Sequence, residues 1–188
     1  MIVRRNLTLY GSMKVTTGVF QINETSNAKR TIMVYGSFTV ESNAKVTTGT
    51  GNPNTSGYTI NPLNLPPGGS FHTIFHELTI GGNFTNNGTV RFTNQTAPNY
   101  GEFPTNGAVT VRFTGEANAT VTLNGITDFY NLIVDKGSDQ TYILTVYSSS
   151  VNNFTLYGTN CCRRYEGAPY SADFPEVRKA LWIKNGTL

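Results

Sequence analysis

The sequence predicts an all-β protein in which short strands stack as a parallel β-helix, a solenoid of thin coils. Three observations predict it. Runs rich in Val, Ile, Leu, Phe and Thr alternate apolar with polar residues and are punctuated by Gly and Asn roughly every eight to twelve residues. One nine-residue unit recurs at an offset of 25 residues, and periods of about 20 to 50 residues mark stacked architectures. Only 13% of the residues are charged, about half the usual quarter, which excludes a charged coiled coil and an acidic disordered tail. A β-sandwich, which also uses evenly spaced strands, is the alternative fold.

Taken in order, the clearest runs are 7–9, 32–34, 78–80, 89–92, 109–113, 120–123, 132–134, 143–146 and 154–156. The repeat that joins them is Leu7-Thr8-Leu9-Tyr10-Gly11-Ser12-Met13-Lys14-Val15, matched position for position by Ile32-Met33-Val34-Tyr35-Gly36-Ser37-Phe38-Thr39-Val40. Leu78 to Thr85 reads as a third copy and Phe154 to Gly158 as a truncated fourth. Each coil has only a thin apolar face, so burial requires the coils above and below, with Leu, Val, Ile and Phe forming inward columns. Asn86-Asn87-Gly88 and Asn124-Gly125 suit tight corners, because Asn and Gly tolerate positive φ. The one stretch with helical spacing, Phe174 to Leu181, predicts at most a single turn of helix. Two segments break the rhythm, 49–70 with its Pro-Pro-Gly-Gly and 159–179 around Cys161-Cys162, and both are expected to project from the stack as loops. The whole chain, 1–188, reads as one solenoid segment, expected to belong to a longer protein.

Net charge is +3 from 14 basic and 11 acidic residues, with no Lys/Arg run longer than two, so no basic stripe exists to track a nucleic-acid backbone. No stretch approaches the roughly 18 apolar residues of a membrane-spanning helix. Adjacent Cys161 and Cys162 supply at most half of a zinc site, and a disulfide between neighbours strains the peptide between them. They are expected to be two loop thiols, with a bond to another chain or to a further part of this one as the alternative in an exported protein.

His72 and His76 are four apart, but on a strand that spacing places the imidazoles about 13 Å from one another, too far for one metal ion. Asp135-Lys136-Gly137-Ser138-Asp139 reads as an Asp/Gly turn between strands rather than a calcium loop. No metal and no cofactor is expected. Glycan cleavage needs carboxylates clustered on neighbouring coils. The candidates are Glu102, Glu116 and Asp135, with Arg91 and Arg112 at equivalent places in two sub-repeats as a conceivable Arg ladder. Exposed aromatics are the stronger lead for ligand binding, because sugars and protein partners stack on such rings: Tyr100, Phe103, Tyr165, Tyr170 and Trp182.

The wording of residues 78–90 (Leu-Thr-Ile-Gly-Gly-Asn-Phe-Thr-Asn-Asn-Gly-Thr-Val), 110–115 (Thr-Val-Arg-Phe-Thr-Gly) and 129–136 (Phe-Tyr-Asn-Leu-Ile-Val-Asp-Lys) resembles the repeat regions of large secreted adhesin-like surface proteins of Bacteroidetes. The resemblance covers 78–158 well and 7–48 loosely, and the two loops depart from it. It implies a right-handed parallel β-helix, export to the cell surface or medium, and a stalk or adhesive role; it transfers no catalytic residue. The expected function is therefore a non-enzymatic structural or adhesive segment of an extracellular protein. Its expected partners are a surface glycan or protein ligand, and neighbouring coils or a second copy. A glycan-active β-helix enzyme and a carbohydrate-binding module on a sandwich are the alternatives.

Overall fold

The structure, a computed structural model, describes residues 1–24, 29–49, 76–93, 108–157 and 180–188. These residues form two sheets. One has six strands: β2 (Leu7–Leu9), β4 (Thr31–Val34), β6 (His76–Ile80), β9 (Val109–Phe113), β12 (Asn131–Asp135) and β15 (Leu181–Asn185), neighbours in that order. The other has nine. It contains β1 (Ile2–Val3), β3 (Met13–Ile22), β5 (Phe38–Thr48), β7 (Phe84–Asn86), β8 (Thr89–Arg91), β10 (Ala119–Leu123), β11 (Thr127–Phe129), β13 (Leu144–Ser148) and β14 (Thr155–Leu156).

Every pairing between these strands is parallel, which fits stacked coils and not the antiparallel pairing of a sandwich; one isolated bridge, Thr93 with Ala108, is antiparallel. The chain alternates between the sheets, laying one strand in the six-stranded sheet and then one long or two short strands in the nine-stranded one. The first half of β5 pairs with β7 and its second half with β8, so the nine-stranded sheet divides into two arms at the corner around Asn86–Gly88.

The register is the one the repeat predicts. Leu7, Ile32, Leu78, Val111, Leu132 and Leu181 stand in one column, and Leu9, Val34, Ile80, Phe113, Val134 and Ile183 in another. The bare layer between Val111 and Leu132 takes 21 residues, while 46 separate Ile32 from Leu78 without any slip. A one-residue slip would turn every apolar side chain outward, so the buried face itself holds the register. In the other sheet Met13, Phe38, Phe84, Val121 and Val146 align, and a run of phenylalanines fills the space between the sheets. Phe84 lies within 5.7 to 6.4 Å, centroid to centroid, of Phe38, Phe92, Phe113 and Phe129.

Three expectations need correction. Phe154–Leu156 is not a fourth copy of Leu7–Leu9: its strand β14 pairs with β11 in the nine-stranded sheet, whereas β2 lies in the six-stranded one. The pattern apolar-Thr-apolar is the same wherever one face is buried, so it does not say which sheet a strand joins. Leu181, placed at the end of a possible helical turn, opens β15, while the other residues of that turn up to 179 lie outside the described residues. The corner glycines Gly88 and Gly125 do not have positive φ. They are required by close approach, since a Cβ on Gly125 would stand 1.9 Å from the carbonyl oxygen of Gly88.

Candidate functional site

Stacking in register puts side chains of the same outward column about 4.8 Å apart from layer to layer, close enough for each to bond the next. Three outward ladders result. At the corner before the nine-stranded sheet, the Ser12 hydroxyl accepts the Ser37 N–H at 3.0 Å, the Ser37 hydroxyl accepts the Asn83 N–H at 3.1 Å, and Asn83 Oδ1 accepts the Thr120 N–H at 2.9 Å. Each layer thus caps a backbone donor of the layer that follows. At the opposite bend, Lys14 pairs with Glu41 at 2.6 Å, Asn87 donates to Glu41 at 3.4 Å, Asn124 donates to Asn87 Oδ1 at 2.9 Å, and Asn153 donates to the Asn124 carbonyl at 3.0 Å.

The third ladder is ionic and crosses the outer face of the six-stranded sheet. Lys29 meets Glu77 at 2.9 Å, Glu77 meets Arg112 at 3.9 Å, Arg112 meets Asp135 at 2.7 Å, and Asp135 meets Lys184 at 3.4 Å. The signs alternate along its whole length. Asn185 also donates to Asp135 Oδ1 at 2.6 Å. Partial burial acts to raise the Asp135 pKa, but the hydrogen bonds from Asn185 and Arg112 and the charges of Lys184 and Arg112 outweigh it, and the carboxyl sits below its usual range. Such a group holds no proton to give at neutral pH, so it is unsuited to general-acid work on a glycosidic oxygen.

Beside this ladder, Lys136 is fully buried. Its ammonium donates to the carbonyls of Thr114 at 2.5 Å and Gly81 at 3.4 Å, tying three successive layers at one corner. Burial lowers its pKa. Asn86 ties two layers on the inside: buried between Val40 and Leu123 in its column, it donates to the Ile126 carbonyl at 2.9 Å and the Thr127 hydroxyl at 2.8 Å, and accepts the Gly88 N–H at 2.8 Å.

Of the aromatic residues expected to bind a ligand, Tyr100, Phe103, Tyr165 and Tyr170 lie outside the described residues, as do Cys161, Cys162, Glu102 and His72. Trp182 lies on β15, partly exposed, with the Lys184 ammonium 5.9 Å from its ring. His76 opens β6, buried, and its Nδ1 accepts the Arg30 N–H at 3.0 Å. Glu116 is exposed in the turn between β9 and β10. Arg91 and Arg112 do not form a ladder: Arg91 belongs to β8 and Arg112 to β9, in different sheets, and Arg91 pairs with Asp128 at 2.8 Å. Asp139 is held below the usual carboxylate range by the Thr141 hydroxyl and N–H, which form an Asx turn.

Sequence reasoning did not single out Tyr10 and Tyr35 as a surface feature. Their rings stack with centroids 5.3 Å apart and planes 5° from parallel, and Tyr10 is 86% exposed. The signal was present in the Tyr-Gly-Ser identity at the 25-residue offset, because identical outward residues in register must stack.

No family model matches the chain, and neither a curated protein nor a solved structure is found to resemble it.

Proposed function

We propose that this chain is a structural segment of an extracellular bacterial surface protein, a right-handed parallel β-helix that serves as a stiff rod to extend, assemble or adhere, and not an enzyme. The observation that carries this reading is the continuity of columns and ladders from layer to layer: among the described residues, side chains of the outer faces bond the neighbouring layer. Arg112, Asp135 and Glu77 hold one another, and Asn83, Asn87 and Asn124 hold the corners. The wording shared with adhesin-like repeats supports the surface location, and the aromatic residues Tyr10 and Trp182, together with Tyr100, Phe103, Tyr165 and Tyr170, are the candidates for contact with a glycan or protein ligand.

The test is surface labelling of intact source cells with a membrane-impermeant amine reagent, followed by recovery of the protein. Labelled protein is expected. Protein that is labelled only after lysis would overturn the extracellular role. Turnover of any polysaccharide that is abolished by Asp135→Ala or Glu116→Ala would replace the structural reading with the glycan-active one.

A further inference from the structure

We propose that Tyr10 and Tyr35 form an oxidative cross-linking site, at which a one-electron oxidant joins the two phenols into a dityrosine bond between successive layers of the same chain. Of the stacked-rod reading above it needs only the pairing of β2 with β4.

The repeat itself builds the pair. Tyr10 follows β2 and Tyr35 follows β4, and the register that sets Leu7 on Ile32 and Leu9 on Val34 continues by setting one tyrosine on the other. The backbone is pinned on both sides of them: the Tyr35 N–H donates to the Leu9 carbonyl at 2.9 Å, and the Gly36 N–H to the Gly11 carbonyl at 3.0 Å. Their rings therefore stand 5.3 Å apart and 5° from parallel. An oxidant reaches both, since Tyr10 is 86% and Tyr35 55% exposed. On the far side the stack ends at Tyr35, because Gly81 is next in the column and a Cβ there would stand 2.2 Å from the Tyr35 carbonyl oxygen. Exposure alone does not make such a site. Tyr147 is as open, at 58%, but its register partner on β10 is Thr122.

The chemistry balances with hydrogen peroxide as the oxidant and a haem peroxidase as the enzyme that delivers it. Each phenol loses one electron and its hydroxyl proton, and the two phenoxyl radicals join through ring carbons ortho to the oxygens, forming one C–C bond. The hydrogen on each joined carbon then moves to the oxygen of its own ring, which restores both aromatic systems. The two electrons and two protons removed reduce one peroxide to two waters. Phenoxyl radicals are short-lived, so the partner must be held at hand, and a fixed neighbour raises the effective concentration far above that of any other phenol in solution. Rotamer changes of exposed side chains, on the picosecond to nanosecond scale, bring the ring edges together. The new bond closes a covalent loop from residue 10 to residue 35 and restricts the unfolded chain as a disulfide does.

The test treats the full chain, in dilute solution, with a haem peroxidase and hydrogen peroxide, isolates the monomer, and reads dityrosine fluorescence and a proteolytic mass map. A cross-linked peptide pair containing Tyr10 and Tyr35, lighter than the two separate peptides by two hydrogens, is expected. Tyr10→Phe and Tyr35→Phe should each lower the monomer's dityrosine fluorescence by about tenfold or more, whereas Tyr147→Phe should leave it unchanged. Phe keeps the ring and both sites are exposed, so these variants fold as wild type does. A monomer without dityrosine, a cross-link that maps to other tyrosines, or a signal that survives Tyr10→Phe overturns the proposal. A second variant separates this failure from failure of the stack. In a Cys161→Ser, Cys162→Ser background, Thr8→Cys with Met33→Cys should form a disulfide within one chain, because those residues are register partners on β2 and β4. If that disulfide forms and dityrosine does not, the site fails and the stack stands; if neither forms, the rod reading fails with it.

Discussion

Val15 and Val40 are the same residue in the same column, one layer apart, yet Val40 is fully buried and Val15 only partly so. Leu7 and Leu78 differ in the same way two layers apart, and Met13 lies half covered in the column where Phe84 is enclosed by four other phenylalanines. The middle and the end of this molecule are thus made of the same pattern. The difference is the number of layers on either side, so burial here belongs to a layer's position and not to its residues. A stack of this kind gains stability from interfaces between repeats, and an end layer has one interface where a middle layer has two.

The largest effect expected from that contrast is in the core. Phe84→Ala should cost about 3–5 kcal/mol, and Met13→Ala in the same column only about 1 kcal/mol, by urea denaturation of each variant. Equal costs would show that the ends are as well packed as the middle. The next largest concerns Asn86. Its replacement by Ala leaves the Ile126 carbonyl, the Thr127 hydroxyl and the Gly88 N–H without that buried partner, at a cost of about 3 kcal/mol, and a loss under about 1 kcal/mol would mean that the two corners relax independently.

A smaller contrast separates the ion pairs. Arg112, with its side chain 17% exposed and bound to Asp135 at 2.7 Å, should cost about 1–2 kcal/mol on replacement by Ala, whereas Arg4, paired with Glu24 on the exposed first layer, should cost under about 0.5 kcal/mol. High salt should erase the Arg4 contribution first. The smallest effects are in pH. The Asp135 pKa is lower in the folded chain than the ordinary carboxyl value of 3.8, so its contribution is complete above that value and disappears as pH falls through the folded pKa; Asp135→Asn should flatten the acid limb of the stability curve. Lys136 works in the opposite range. Its folded pKa lies below 10.5, the unfolded chain therefore binds more protons between the two values, and stability should rise with pH there in wild type but not in Lys136→Met.

Much of this arrangement was legible beforehand. The 25-residue repeat gave the pairing of Leu7 with Ile32 to the residue, and alternation gave the inward faces, because a period of two on a half-buried strand leaves no other choice. The aromatic candidates were a different matter, since Trp182 alone of the five falls among the described residues. Arg91 and Arg112 looked equivalent because each follows a Val in a short strand, yet they serve different sheets and different acids.

By itself, then, the sequence determined nine of the apolar runs, their inward faces and the register of Leu7, Ile32 and Leu78, all of which follow from local periodicity repeated along the chain. Only the tertiary structure decided which sheet each strand joined, that Asn86 would turn inward and find four partners across a corner, and that Gly125 is needed for the nearness of Gly88 and not for its φ. It also decided that Lys29, Glu77, Arg112, Asp135 and Lys184, scattered over the sequence, would form one chain of alternating charge. The physical reason is common to all four. Periodicity records what one strand needs from the interior, whereas these contacts depend on what the next layer brings within reach, and residues of varying number separate one layer from the next.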